Sequence, residues 1–415
     1  MSDTLANVET IDARLLERAA ALDAADELAA FGDEFQRAPE VVAYLDGNSL
    51  GRPLHSTSAR LAEFVEQEWG TRLIRSWDDR WMQLPTTLGD RIGAIALGAA
   101  PGQTVVADST TVMIYKLIRS ALEAAPGRTE IAIDSTNFPT DRFVIEGIVA
   151  ERGASIRWIH ADPVEGVTAA DVAEVVGDTT ALVVLSHVDY RSSAIADMAG
   201  ITAIVQAAGA LILWDLCHSA GVVPVELDAC GVDFAVGCTY KYLNGGPGSP
   251  AFAYVSAALQ ASAIQPIWGW MGAADVFAMA DSYTPAPSIR QFISGTPPIM
   301  GMLAMEGMLD LIEQAGIDRI RQKSLNLTEF FISAAEEVLA PWSPELLSPR
   351  DADRRGSHVT IGHPGFRDAN AILWERGVIP DFRPPQGLRI GLSPLSTSFH
   401  EVAAGVLAIR DAMGD

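Results

Sequence analysis

Two apolar runs in the middle of the chain each end in a polar group. "ALILW" at 210–214 closes on Asp215, and the run at 234–238 closes on Thr239, Tyr240 and Lys241. An aspartate and a lysine so placed, 26 positions apart, suit Schiff-base chemistry. The amine can hold an aldehyde, and the carboxylate can keep a ring nitrogen protonated so that the ring draws electrons from a carbanion. Taken singly, each residue also fits a plainer use: Asp215 as a helix cap, Lys241 as a solvated amine. His218, three positions after Asp215, and Ser186-His187, which close the run "ALVVL", add further polar groups at run ends.

A cofactor combining an aldehyde, a ring nitrogen and an anionic tail is pyridoxal phosphate, and its phosphate needs a cradle. "ADSTTVMIYKLIRSALEAAPG" at 107–127 reads as a helix starting at Thr110 or Thr111 and stopping before Gly127. Its hydroxyl-rich start offers free backbone N–H groups and the positive end of the helix dipole to an anion; Ser109 or Thr110 also reads simply as an N-cap. "NFPTD" at 137–141 sets Phe138 in a proline-containing turn, where it can stack on a flat cofactor or pack beneath a sheet.

The elements that must position these groups follow from the apolar pattern. Short runs at 130–133, 181–187, 210–215, 234–238 and 251–255 alternate with helical stretches, which predicts a mainly parallel sheet covered on both faces, an α/β fold. Ligands of such sheets bind at the carboxyl ends of strands, where the polar groups lie. Residues 10–31 carry apolar positions at helical spacing, and 300–338 predict one or two long helices. "HVTIGHP", "DANAILWERGV" and "LRIGLSPL" then predict a strand, helix and strand of a smaller α+β domain. The expected division is an N-terminal segment, 1–50, packing with the small domain, a large domain at 51–300 and a small domain at 301–415.

With 415 residues and 49% hydrophobic content the chain can bury a large core, and a net charge of −24 disfavours nucleic acid and anionic membranes. No basic n-region with an apolar h-region opens the chain and no apolar stretch is long enough to span a bilayer, so a cytoplasmic enzyme is expected. Three cysteines, Cys217, Cys230 and Cys238, show no disulfide spacing and fit a reducing compartment. Asp215, Cys217 and His218 are near neighbours, but no HExxH occurs and no metal site is expected.

The chain resembles the kynureninases, within the fold-type I, aspartate-aminotransferase-like pyridoxal phosphate enzymes. "YLDGNSLGRP" at 44–53, "NFPTD", "SHVDYRSS" at 186–193, "WDLCHSAG" at 214–221, "GCTYKYLNGGPGSPAF" at 237–252, "GWMG" at 269–272 and "LRIGLSPL" at 388–395 carry the resemblance over most of the chain. It implies a seven-stranded-type sheet, pyridoxal 5′-phosphate as cofactor, and hydrolysis of L-kynurenine to anthranilate and L-alanine, with activity on 3-hydroxykynurenine as well. Tryptophan catabolism, the kynurenine pathway and NAD biosynthesis are the implied setting. It also implies Lys241 as the Schiff-base lysine and base, Asp215 as partner of the ring nitrogen, and Tyr240 as a proton donor. His218, Phe138, Pro139, Thr140, Asp141, Thr110, Thr111, Ser186 and Tyr240 fall at cofactor positions. Trp270 and Thr296 match positions that reach the phosphate from a neighbouring subunit, so a homodimer with its site at the interface is implied. Arg389 would fork the substrate α-carboxylate, with Asn48 nearby and Trp77 against the aryl ring. A cysteine desulfurase-like lyase, the alternative, would need a cysteine in the small domain, and none follows Cys238.

Overall fold

The computed structural model describes residues 2–414, with side-chain surroundings from residue 10 onward. An N-terminal helix (Ser2–Ala25) precedes a two-residue strand, β1 (Ala43–Tyr44). Next come β2 (Thr104–Ala107), β3 (Glu130–Asp134), β4 (Ser155–Ile159), β5 (Thr180–Ser186), β6 (Leu211–Asp215), β7 (Phe234–Gly237) and β8 (Ala251–Val255). These seven form one sheet in the order β2-β8-β7-β6-β5-β3-β4. β3 to β7 pair in parallel, and β8 alone runs against both of its neighbours. The expected α/β fold with a mainly parallel sheet is therefore what forms.

Side chains of β5 explain why its sequence is continuously apolar. Val183 and Leu185 enter one core cluster while Leu182 and Val184 enter another on the opposite face, because successive residues of a strand point to opposite sides. β4 escapes sequence reading for the converse reason: it is an edge strand, and "SIRWI" leaves Ser155 and Arg157 exposed. β2 has only four residues.

The N-terminal helix stops earlier than the spacing over 10–31 predicts. Asp26 accepts from Leu28 N at 2.9 Å in a local turn, and its other oxygen pairs with buried Lys323 at 2.6 Å. The expected helical stretch over 300–338 forms as two helices, Ile299–Ala315 and Ile317–Val338, broken at Gly316, whose φ of 78° favours glycine. The first buries its apolar side in the large-lobe core with Met302, Met305 and Leu309, and the second turns Leu327, Phe331 and Ala335 into a separate core.

That separate core belongs to a smaller antiparallel sheet, β12 (Asp381–Arg383), β13 (Gly387–Gly391), β10 (His358–Gly362) and β9 (Glu345–Leu346), in that order. β11 (Val378–Ile379) pairs in parallel with β1 instead. Leu15 and Ala19 of the N-terminal helix and Ala43 and Leu45 are buried among its residues.

Candidate active site

A cavity of about 520 Å³ opens at the carboxyl ends of the parallel strands. Asp108, Ser109, Thr110, Thr111, Phe138, Thr140, Asp141, Ser186, Asp215, His218, Tyr240, Lys241 and Thr296 all border it. Most of the expected site residues thus converge on one space, although their positions span nearly 190 residues of sequence.

One wall is the start of the helix Thr110–Ala124. Ser109 caps it, accepting from Val112 N at 3.4 Å, and the first N–H groups of a helix have no partner within it. The turn before it is held from behind. Lys116, wholly buried, donates to Asp108 Oδ2 at 2.5 Å and to Phe292 O at 2.6 Å, which fixes Asp108 at its positive φ of 48°.

The opposite wall carries the acid–base groups. Asp215 accepts from Cys217 N at 2.7 Å, a bond that turns the chain as β6 ends. Asp141 faces it from the helix Pro139–Arg152. Burial, and then the negative charge of Asp215, push the Asp141 carboxyl well above the usual range, and its Oδ2 is buried with no partner. Lys241 Nζ lies 3.4 Å from His218 Nε2 and 5.9 Å from the centre of the Tyr240 ring. Burial, with Lys241 and His358 nearby, holds the His218 pKa far down, so its ring is neutral and can accept from the lysine. Burial and the neighbouring thiols push the Tyr240 phenol up, which keeps its proton in place.

Asn137, which the sequence reading did not single out, organises this wall. Its side-chain oxygen accepts from Ser186 Oγ and from Phe138 N, both at 2.7 Å, joining the end of β5 to the turn that carries Phe138. Phe138 meets Tyr190 edge to face, ring centres 5.2 Å apart. Tyr190 and Cys217 also border the cavity. Both sat inside quoted motifs, "SHVDYRSS" and "WDLCHSAG", and only the turn geometry reveals their direction. Pro139 starts the helix behind Phe138 and does not border the cavity.

The loop bearing Lys241 is clamped by the "DGNSLG" turn. Gly51 N donates to Tyr240 O at 2.9 Å, and Asn244 donates to Arg52 O at 2.7 Å. A Cβ on Gly51 would collide with Lys241 O and the Asn244 amide, so glycine is required there. The same turn reaches the small lobe. Asn48, wholly buried, accepts from Arg389 Nε at 3.2 Å and donates to Asp46 at 3.2 Å, while Ser49 Oγ accepts from Arg389 at 2.7 Å.

Arg389 does not border the cavity. It is 1% exposed and fully engaged, with Asp381 at 2.7 Å, Asp46 at 3.7 Å and the Tyr190 carbonyl at 2.7 Å. Thr296, expected to reach a neighbouring subunit, borders the cavity of its own chain, whereas Trp270 lies outside it and is 45% exposed. Trp77, expected against an aryl group, does not border this cavity; it is partly buried against the core and meets Trp81 edge to face at 5.3 Å.

The donor set fits pyridoxal phosphate: an anion cradle at one wall, an amine with a single neutral partner, and a carboxylate pair with an orphaned buried oxygen at the other. The fold agrees. An apo cysteine desulfurase from Thermococcus onnurineus superposes with a TM-score of 0.76 at 18% identity, covering 91% of this chain and 99% of that one. A C-DES variant with glycine covalently linked to its PLP cofactor superposes at 0.78 and 16% identity, covering 89% and 96%. The fold is that of the fold-type I pyridoxal phosphate enzymes.

Within that class the relatives are specific. Residues 320–409 match the kynureninase C-terminal domain model. A kynureninase of Burkholderia pseudomallei is 42% identical over 404 residues, covering 96% of this chain and 95% of the relative; one of Pseudomonas fluorescens is 40% identical over 390 residues, covering 92% and 91%. The chain belongs to the kynureninase family.

Proposed function

We propose that the protein hydrolyses L-kynurenine to anthranilate and L-alanine, with 3-hydroxykynurenine also accepted. The observation that carries this reading is the placement of Lys241, Asp215 and Tyr240 on one cavity in a chain of this family. Bound pyridoxal phosphate supplies an aldehyde for the substrate amine and a ring that takes up the electrons left at Cα.

The chain's own groups do the rest. The N–H groups at Thr110 and Thr111 would hold the phosphate, and Asp215, with Asp141 facing it, would keep a proton on the ring nitrogen. Phe138, Thr140 and Ser186, which border the same cavity, would contact the ring. Lys241 would take the Cα proton, with neutral His218 as its hydrogen-bond acceptor, pass it to the cofactor before the carbon–carbon bond breaks, and return a proton to Cα at the end to give alanine. One water adds to the aryl ketone, the Cβ–Cγ bond breaks, and anthranilate leaves with the water's oxygen. Tyr240 donates a proton to the carbon that becomes the alanine methyl group and recovers one from the water that added to the ketone. Arg389 receives the α-carboxylate by exchanging its internal carboxylate partners for it, with Asn48 beside it.

We read 51–315 as the cofactor lobe, since the helix Ile299–Ala315 packs in its core rather than in that of the expected 301–415 domain, and 317–415 with the N-terminal segment as the substrate lobe. A homodimer is part of the proposal. Ile267, Trp268, Trp270, Phe277 and Met279 are exposed apolar groups in one loop region, the kind of patch that a second copy covers, and Trp270 would then reach the partner's site. No described helix is long and apolar enough to cross a membrane, and the free cysteines suit the reducing cytoplasm that we propose as its location. Anthranilate fluorescence on addition of L-kynurenine to the cofactor-loaded protein tests the reading; loaded protein that forms neither anthranilate from L-kynurenine nor 3-hydroxyanthranilate from 3-hydroxykynurenine removes it.

A further inference from the structure

Two of the three cysteines form a pair that the proposed reaction does not use. The register of β6 on β7 is constant: Leu213, Trp214 and Asp215 face Phe234, Ala235 and Val236, an offset of 21. Leu216 N still donates to Val236 O, at 2.7 Å, after the ladder ends. The same offset brings Cys217 beside Cys238, and the contacts bear this out. Cys238 N donates to Cys217 Sγ at 3.2 Å, and Cys238 Sγ lies 3.9 Å from the Cys217 carbonyl oxygen. Neighbouring strands run ~4.8 Å apart, inside the ~4.4–6.8 Å Cα separation that a disulfide spans.

Burial protects the pair from bulk solvent without sealing it. Cys217 and Cys238 are 8% and 3% exposed, yet Cys217 borders the cavity, which gives a small reagent a path. Their acidities are split by contact. The Cys238 thiol and then burial push Cys217 up, while for Cys238 the upward push of burial is outweighed by the contact with Cys217 and the charge of Lys241. Of the two, Cys217 is thus the weaker acid, and thiolate character is favoured on Cys238.

We propose that Cys217 and Cys238 are a modification site, a dithiol that hydrogen peroxide entering the cavity converts reversibly to a disulfide. The Cys217 thiol, which borders the cavity, attacks one peroxide oxygen; the O–O bond breaks, the departing oxygen leaves as water with the thiol's proton, and Cys217 becomes a sulfenic acid. The Cys238 sulfur then attacks the Cys217 sulfur and expels the second oxygen as water with the remaining proton. Two thiols and one peroxide give one disulfide and two waters. The bond would tie together the strand ends that carry Asp215 and Lys241.

Cys230, half-exposed and distant in register from the pair, is the internal contrast. The test exposes the cofactor-loaded Cys230→Ser protein, and the unaltered protein beside it, to hydrogen peroxide, followed by denaturation, iodoacetamide and peptide mass mapping. A cross-linked peptide holding Cys217 and Cys238, two hydrogens lighter than the reduced pair and absent after dithiothreitol, is the expected result. Recovery of both residues alkylated, or of Cys217 carrying two or three oxygens with no cross-link, overturns the proposal.

Discussion

Two cations serve the proposed reaction, and the two lobes treat them oppositely. Lys241, in the large lobe, has a neutral histidine as its hydrogen-bond partner and borders an open cavity. Arg389, in the small lobe, is buried and held by two carboxylates, a hydroxyl, an amide and a carbonyl. The amine that must react is left under-engaged, and the guanidinium that must bind is engaged in advance. The difference teaches that the cofactor wall is preformed while the substrate side is latched, so carboxylate binding has to displace an existing anion before it gains anything.

The strongest test removes the under-engaged cation. Lys241→Ala is expected to lower kcat by ~10²–10⁴-fold, the range of a lost general base, while phosphate still binds the helix start; native turnover would break the comparison at its first term. Arg389→Lys keeps charge and loses the fork, and KM is expected to rise about ten- to a hundredfold with kcat little changed, since a hydrogen bond to a charged group contributes ~1.5–3 kcal/mol. An unchanged KM would mean that the arginine only braces the lobe.

Smaller effects sharpen the contrast. Gly51→Ala should destabilise the protein by about 1–3 kcal/mol, read as a lower Tm, because the new Cβ overpacks the clamp on the Lys241 loop. Asp381→Asn loosens the latch and should lower KM by at most about fivefold, the scale of a partly exposed ion pair; a higher KM would show that Asp381 aims the guanidinium rather than competing for it. A pH series run beside a His187 variant isolates one large-lobe group, since buried His358 on β10 is also held down. Burial pushes His187, whose Nδ1 pairs with Ser219 Oγ at 2.9 Å, from 6.5 down to about 4. A depressed folded pKa contributes stability that is complete above pH 6.5 and lost as pH falls toward 4. His187→Gln should flatten that acid slope in a Tm-versus-pH series.

The sequence made the cofactor wall legible and the latch largely invisible, for a physical reason. Asp215, Ser186 and Lys241 each end an apolar run, and the parallel-sheet rule assigns such ends to a ligand site. Arg389 stands out by motif, and Asp381 faces it across the β12–β13 hairpin, but Asp46 and the Tyr190 carbonyl come from two distant segments, and no local pattern announces that they meet. Asn137 went unread because its work, joining Ser186 to Phe138, depends on two backbones approaching each other. Among strands, β4 went unread as a short strand at the sheet edge, with Ser155 and Arg157 exposed.

The "DGNSLG" turn has a consequence for how the protein is made. Ser49 and Arg389 are 340 residues apart, and the same turn also clamps the loop at Tyr240. During synthesis this short segment leaves the ribosome before either of its partners exists. It can dock on the large lobe only once residue 240 has emerged, and on β13 only near the end of the chain. Closing so long a loop is slow, so the substrate side is completed late in folding, and a nascent chain stopped before β13 carries a cofactor wall with nothing to latch.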